Sequence, residues 1–374
     1  MARPFVPTRM EEPITANHRE ARPSGAVDTR VEGVVANWFP RFLANGLDYL
    51  DVTRILDAIE NWDQWGTTWE AAGENYEKLG RDALAAGHSE TAGSHLRRAA
   101  LTYQFAQFVM TGDTEARRRI HLRMADTYRT AAPLLQPPAT PVRVPWRGID
   151  LVGYLRTLSD DSPLVVLIPG LESTKEQFST FEPFLLERGL STLSFEGPGQ
   201  GETWYEHGFR DEAYVDAMRA LFAWIVDRPD LSGRRVALLG TSFGGYLALK
   251  SAPGLPVEAV VDIAGFFDLK DFDNLQPVIR DNFAHFMKIE PAEIEDVVSQ
   301  VDLLGTLPLD VPVLAVHGEV DPIVPVEHAH RIAAAQMNAT VWLYPDGTHS
   351  CNNLHTIVRP AISDWLADRL AVGA

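Results

Sequence analysis

Cysteine is nearly absent from this chain of 374 residues. The single Cys351 excludes an intramolecular disulfide framework, a redox pair and a cysteine-only metal cage, and it fits a reducing compartment. Long apolar runs are missing too. The opening stretch, Met1-Ala2-Arg3-Pro4-Phe5-Val6-Pro7, is broken by prolines and charge, so neither a secretory core nor a span of about 20 apolar residues is expected there. The chain therefore reads as soluble and cytoplasmic. Positive charge is scarce as well: 33 Lys and Arg stand against 51 Asp and Glu, a formal net charge of −18. Like-charge repulsion then opposes nucleic acid and anionic membrane as partners, and the long-range field favours a neutral or cationic small molecule as substrate.

The remaining composition is that of an ordinary globular protein, with 45% hydrophobic, 22% charged and 9% aromatic residues. Disordered, collagenous and membrane classes are excluded on that ground, and the length suggests about two folding units. Residues 1–30 hold Pro4, Pro7, Pro13 and Pro23 among scattered charges and read as an extended arm, either free or strapped onto a neighbouring subunit of a homodimer. Residues 31–140 are helical in texture and read as a cap domain of four or five helices. Val52, Ile55, Leu56, Ile59, Trp62, Trp65 and Trp69 recur at steps of three and four, which places them on one helix face. Their aromatic weight belongs to a bundle core or to a wall over a substrate pocket.

After Pro141 the period changes. Continuous apolar runs at 164–168, 236–239, 259–263, 313–316 and 341–344 read as buried strands, separated by helix-length segments near 176–188, 211–227, 244–252, 326–336 and 353–371. Alternation of this kind predicts an α/β fold over 141–374: a mostly parallel eight-stranded sheet flanked by helices, with 142–146 and 150–157 as an edge hairpin. Residues 265–308 interrupt the alternation with nine acidic and three basic side chains and read as a second cap segment.

Chemistry enters at Gly240-Thr241-Ser242-Phe243-Gly244-Gly245. A G-x-S-x-G between a buried strand and a helix is the pattern of a nucleophile elbow, whose glycines let strand and helix approach. Partners belong after later strands. Asp321 follows the run 313–316, with Glu319 as a weaker rival, and His349 follows 341–344. The order Ser242, Asp321, His349 completes a triad in which His349 takes the proton from Ser242 Oγ and Asp321 fixes the imidazole tautomer. An oxyanion needs two N–H donors; Phe243 supplies one, and Leu171, or alternatively Glu172, the other. The remaining histidines lack shared metal spacing, so no metal or cofactor is expected. Gly197-Pro198-Gly199-Gln200-Gly201 lacks the ending of a phosphate loop and reads as a tight turn near the site's rim.

These residues resemble the α/β-hydrolases, in the branch with an N-terminal helical domain that groups bacterial 2,6-dihydroxypseudooxynicotine hydrolases with fungal polyketide-shortening hydrolases. The matching stretches are Gly170-Leu171-Glu172-Ser173-Thr174-Lys175-Glu176, Phe195-Glu196-Gly197-Pro198-Gly199-Gln200-Gly201-Glu202, Ser242-Phe243-Gly244-Gly245-Tyr246-Leu247, and His349-Ser350-Cys351-Asn352-Asn353-Leu354. The resemblance implies an α/β-hydrolase fold and hydrolysis of a C–C bond beside a carbonyl, by an acyl-enzyme on Ser242 or by water activated at His349. One departure is that Leu275-Gln276 stand where the bacterial branch carries an extra carboxylate, with Asp268, Asp271 and Asp273 nearby; this points away from a nicotine-derived substrate. The alternatives are a carboxylesterase, a lyase or dehydratase on the same fold, and a ligand receptor whose helices serve interaction. An aminopeptidase of the prolyl-oligopeptidase type shares the Ser-x-Gly-Gly elbow but usually carries a β-propeller, where helices dominate here.

Overall fold

The computed structural model describes residues 28–112 and 114–371. The arm expected over 1–30 lies outside the described residues up to position 27, and of its last three residues Asp28 caps a helix that Thr29 and Arg30 begin. Asp28 Oδ1 accepts from the Arg30 amide at 2.9 Å and caps α1, Thr29–Ala44. Among the described residues four further helices precede the strands: α2, Tyr49–Asp57; α3, Trp65–Ala85; α4, Ser89–Gln107; and α5, Thr114–Ala131. The run from Val52 to Trp69, expected on one helix, is divided between α2 and α3. Asn61 is extended (φ −147°), the Trp62 amide donates to Asp28 Oδ2 at 3.1 Å, and a 3-10 turn, Trp62–Gln64, leads into α3. Side chains that compete for backbone N–H groups can break a helix while apolar spacing runs on through the break.

Within this helical region Trp38, Trp65 and Trp69 are buried against Phe42, Phe105 and Phe108. Packing between α3 and α4 is close because glycines face large side chains: Tyr103 fills the space at Gly73, and Leu96 the space at Gly80. No helix among the described residues is long and apolar enough to cross a membrane.

The strands form one sheet: β1, Thr140–Trp146; β2, Ile149–Arg156; β3, Leu164–Ile168; β4, Ser191–Glu196; β5, Val236–Thr241; β6, Ala259–Ile263; β7, Val313–Gly318; and β8, Thr340–Tyr344. Their order is β1-β2-β4-β3-β5-β6-β7-β8. Only the β1–β2 and β2–β4 pairs are antiparallel, so the mostly parallel eight-stranded sheet expected from the sequence is present. On one face Val166, Leu238 and Val260 share a core with α7, Asp211–Asp227, with α8, Phe243–Ser251, and with the N-terminal helices. On the other, Val165, Leu167, Leu239 and Val261 pack with Leu185 of α6, Glu182–Leu186, and with Ile362 and Leu366 of α12, His355–Arg369. Between β6 and β7 the chain forms α9, Pro277–Met287, and α10, Ile294–Ser299, and between β7 and β8 it forms α11, Glu327–Ala335. Phe283 of α9 meets the ring of Phe243 edge-on at 5.5 Å, which brings α9 down onto the start of α8. Chain order reverses around β3, with β4 on one side and β5 on the other. Loops leaving β3 and β5 therefore diverge and open a crevice at the carboxyl end of the sheet.

Candidate active site

Ser242 stands in that crevice at the end of β5, with φ 55° and ψ −130°, a conformation that strains any residue with a side chain. Neighbouring glycines permit it. A Cβ at Gly244 would fall 2.3 Å from the Ile168 carbonyl oxygen, and one at Gly245 only 1.8 Å from Asp262 Oδ1. The Ser242 N–H donates to the Ile263 carbonyl at 2.7 Å, and the Gly245 N–H to the Ser242 carbonyl at 2.8 Å, which pins the turn on both sides.

Asp321 follows β7, and His349 opens the turn after β8. His349 Nδ1 donates to Asp321 Oδ2 at 2.8 Å, while Asp321 Oδ1 accepts from the Ile323 and Val324 amides at 2.8 and 2.9 Å. Burial alone would raise the Asp321 carboxyl, but the facing imidazole and the amides outweigh it and hold the group below the usual carboxylate range. The aspartate stays ionised, so Nδ1 keeps its proton and Nε2 is left free as a base. His317 is buried in β7, donates through Nε2 to the Val324 carbonyl at 2.8 Å, and is held neutral by burial. Glu319 is exposed.

Ser242 and His349 border two cavities. One is walled by Trp38, Leu171, Phe243, Phe266, Asn282 and Ile323. The other, larger one extends toward Arg41, Gln177, Asn352, His355 and Arg359. Burial pushes the Arg359 guanidinium down to about 10, and its Nη1 donates to the Ala44 and Thr180 carbonyls at 2.9 and 3.1 Å, tying α12 to the end of α1.

The loop 169–172 comes close to the elbow because Gly170 has no side chain; a Cβ there would lie 3.1 Å from Ser242 Cβ. Among the described residues no group accepts from the N–H of Leu171 or Phe243. The N–H of Glu172 likewise meets no acceptor among the described residues, while its carboxylate pairs with Arg41 and its backbone carbonyl accepts from Gln104 Nε2 at 2.9 Å. Arg41 also donates to Ser173 Oγ at 2.8 Å and to Gln177 Oε1 at 3.1 Å. Arg41 and Gln104, which the sequence did not single out, thus fix the loop from α1 and α4. The turn 197–201, expected at the rim, is mostly buried beneath this loop: Gln200 Nε2 donates to the Pro169 carbonyl at 2.6 Å, and Tyr214 Oη donates to Gln200 Oε1 at 2.9 Å.

Asp268 does not replace the missing carboxylate, because Arg331 and Lys270 hold it. Asp271 and Asp273 are exposed. Gln276 instead accepts from Asn37 Nδ2 at 3.0 Å and donates to the Pro322 carbonyl at 2.9 Å, joining α1 to the Asp321 loop. Cys351 is fully buried, and burial pushes its thiol up, so it is no nucleophile.

Behind the elbow, burial pushes the Asp262 carboxyl up to about 8. A folded-state value above the unfolded one means that the native protein holds a proton which the unfolded chain releases. Stability from this group is therefore complete below about pH 4 and is lost as pH rises toward 8. Urea midpoints at pH 5 and pH 8 are expected to lie closer together in Asp262→Asn than in the parent; an unchanged difference would contradict the assignment.

Residues 177–368, just over half of the chain, match the prolyl oligopeptidase family. The chain belongs to this family. It is an α/β-hydrolase, and its match begins only after the N-terminal helices. A relative matched over nearly its full length is the 2,6-dihydropseudooxynicotine hydrolase of Paenarthrobacter nicotinovorans, 31% identical over 359 residues, which cover 91% of this chain and 94% of that protein. A crystal structure of 2,6-dihydroxy-pseudo-oxynicotine hydrolase superposes with a TM-score of 0.82 at 29% identity, covering 90% of this chain and 96% of that one. Hydrolyase ccsE of Aspergillus clavatus is 26% identical over 254 residues, 61% of this chain and 58% of its own length. This α/β-hydrolase is accordingly an enzyme, and its sheet is preceded by helices where a β-propeller was the alternative.

Proposed function

We propose that this α/β-hydrolase cleaves a C–C bond adjacent to a carbonyl in an aromatic or polyketide-like small molecule, with Ser242 as nucleophile, His349 as base and Asp321 as its anchor. The observation that carries the reading is the strained Ser242 beside a His349 held by an ionised Asp321, in a crevice covered by α1 and α9. Oγ attacks the carbonyl carbon as His349 Nε2 takes its proton, and the developing oxyanion meets the unpaired N–H groups of Phe243 and Leu171. The C–C bond then breaks, the departing carbon is protonated from His349, and water releases the acyl group from Ser242. The apolar wall of Trp38, Leu171, Phe243 and Phe266 suits a neutral, flat substrate and keeps bulk water away from the carbanion equivalent. Likeness to the Paenarthrobacter hydrolase along nearly the whole of both chains supports the same class of reaction.

Activity on aryl β-diketones and on 4-nitrophenyl esters, compared by kcat/KM, tests the reading. Turnover of at least one diketone is expected, with an acyl hydroxamate formed when hydroxylamine replaces water. Ester hydrolysis without any diketone cleavage would make the enzyme a carboxylesterase, and failure of a fluorophosphonate to label Ser242 would remove the nucleophile.

A further inference from the structure

Among the described residues, two side chains in the wall of the smaller cavity each carry a buried N–H donor with no partner. Asn282 is 2% exposed and its Nδ2 reaches no acceptor; Trp38 is 1% exposed and its Nε1 reaches none. They come from separate parts of the chain, Trp38 from α1 and Asn282 from α9. Both border the space that Ser242 and His349 also border. Ile279, Phe283, Phe266 and Ile323 make up much of the remaining wall, so the carboxamide is set in apolar surroundings that cannot satisfy it. Unpaired buried donors lower stability, and they persist at sites where a ligand supplies the missing acceptor.

Resting on the C–C hydrolase reading, we infer that Asn282, together with Trp38, binds the second carbonyl oxygen of a β-dicarbonyl substrate and stabilises the enolate that leaves. When the tetrahedral adduct on Ser242 collapses, its carbonyl re-forms and the bond from the acyl carbon to the central carbon breaks. That electron pair passes to the central carbon and is delocalised onto the second oxygen, where charge develops and the two N–H groups donate. His349 returns the proton taken from Ser242 to the central carbon, giving a ketone. Water then attacks the acyl carbon, loses a proton to His349 and frees a carboxylic acid as Ser242 recovers its proton. The sum is one diketone and one water to one ketone and one acid. An ester leaving group is an alkoxide protonated directly by the histidine, so it draws no comparable benefit from a remote donor pair. Asn282 on this account separates C–C hydrolysis from ester hydrolysis within one triad.

The test compares benzoylacetone with 4-nitrophenyl butyrate in Asn282→Leu and Trp38→Phe. Loss of one preorganised donor to a developing oxyanion lowers turnover by about 10²-fold or more. The diketone-to-ester ratio of kcat/KM is expected to fall at least about tenfold in Asn282→Leu and in the same direction in Trp38→Phe, while a fluorophosphonate still labels Ser242. Asn282→Leu is also expected to melt higher than the parent, since an apolar side chain of similar size replaces an unpaired amide. A merely structural asparagine would give a lower melting temperature and equal losses on both substrates, and that result overturns the inference. So does an unchanged ratio. If the parent enzyme itself leaves benzoylacetone and other diketones intact, the C–C reading fails first and takes this inference with it.

Discussion

Ser242→Ala is expected to lower turnover by about 10⁴-fold or more with the fold unchanged, and His349→Ala to do the same. In the proposed mechanism the two side chains act in one proton transfer, so the double variant should lose no more than either single one. Asp321→Asn is the sharper test because the structure dictates which way its amide must face. Oδ1 of Asp321 accepts from the Ile323 and Val324 amides, so the amide oxygen of an asparagine must take that position. Its NH₂ group then faces His349 Nδ1, which in the parent donates to Oδ2 at 2.8 Å. Nδ1 is forced to accept, the ring proton moves to Nε2, and the base that should take the Ser242 proton already carries one. A loss of about 10⁴-fold follows from the wrong tautomer alone. Circular dichroism and thermal melting establish that each variant is folded; substantial turnover in folded Ser242→Ala or Asp321→Asn would dismiss the triad.

Legibility in the sequence depended on whether a residue's role is local. Strands β3, β5, β6 and β7 are buried on both faces and therefore stand out as continuous apolar runs, and the elbow is visible because its glycines crowd within six residues. Strand β4 does not stand out in this way. Ser191, Thr192, Ser194 and Glu196 are buried there, made tolerable by partners that no local pattern reveals: Thr192 donates to Glu182 at 3.1 Å and Lys175 to Glu196 at 3.1 Å. The break between α2 and α3 was hidden for the opposite reason, since apolar spacing continued across it. Around the site, the order of Ser242, Asp321 and His349 could be read because each follows a strand. Arg41 and Gln104 could not: each meets the loop at Glu172 across a long stretch of chain, and Arg41 looks like any solvated cation on an amphipathic helix until its burial is seen. The same holds for Trp38 and Asn282, whose significance lies in partners they lack.

Gly240→Ala is expected to be the most damaging single methyl group that can be added to the catalytic half. A Cβ at this position would sit 1.9 Å from the carbonyl oxygen of Gly244 and 2.6 Å from the amide nitrogen of Gly245. Both obstacles are backbone, and both belong to the first turn of α8, so no rotamer change relieves the contact. Either β5 and α8 separate or the elbow unwinds. Separation would open the packing of Tyr246 and Leu247 against the sheet, and unwinding would release the φ of 55° at Ser242 and turn Oγ away from His349. The cost is expected to exceed about 3 kcal/mol, above the usual range for overpacking because the strain cannot spread through flexible side chains. Gly33→Ala supplies the control. It lies within α1 with nothing among the described residues inside 4 Å of its added Cβ, so the methyl group restricts the unfolded chain and favours the helix, raising stability by about 0.5–1 kcal/mol. Urea titration of both variants separates the two effects, and turnover of whatever Gly240→Ala remains folded separates strain from position. A Gly240→Ala enzyme with parental stability and parental kcat would mean that the elbow tolerates a side chain at its entrance, and the close approach of β5 to α8 would then not be what holds Ser242 in its strained conformation.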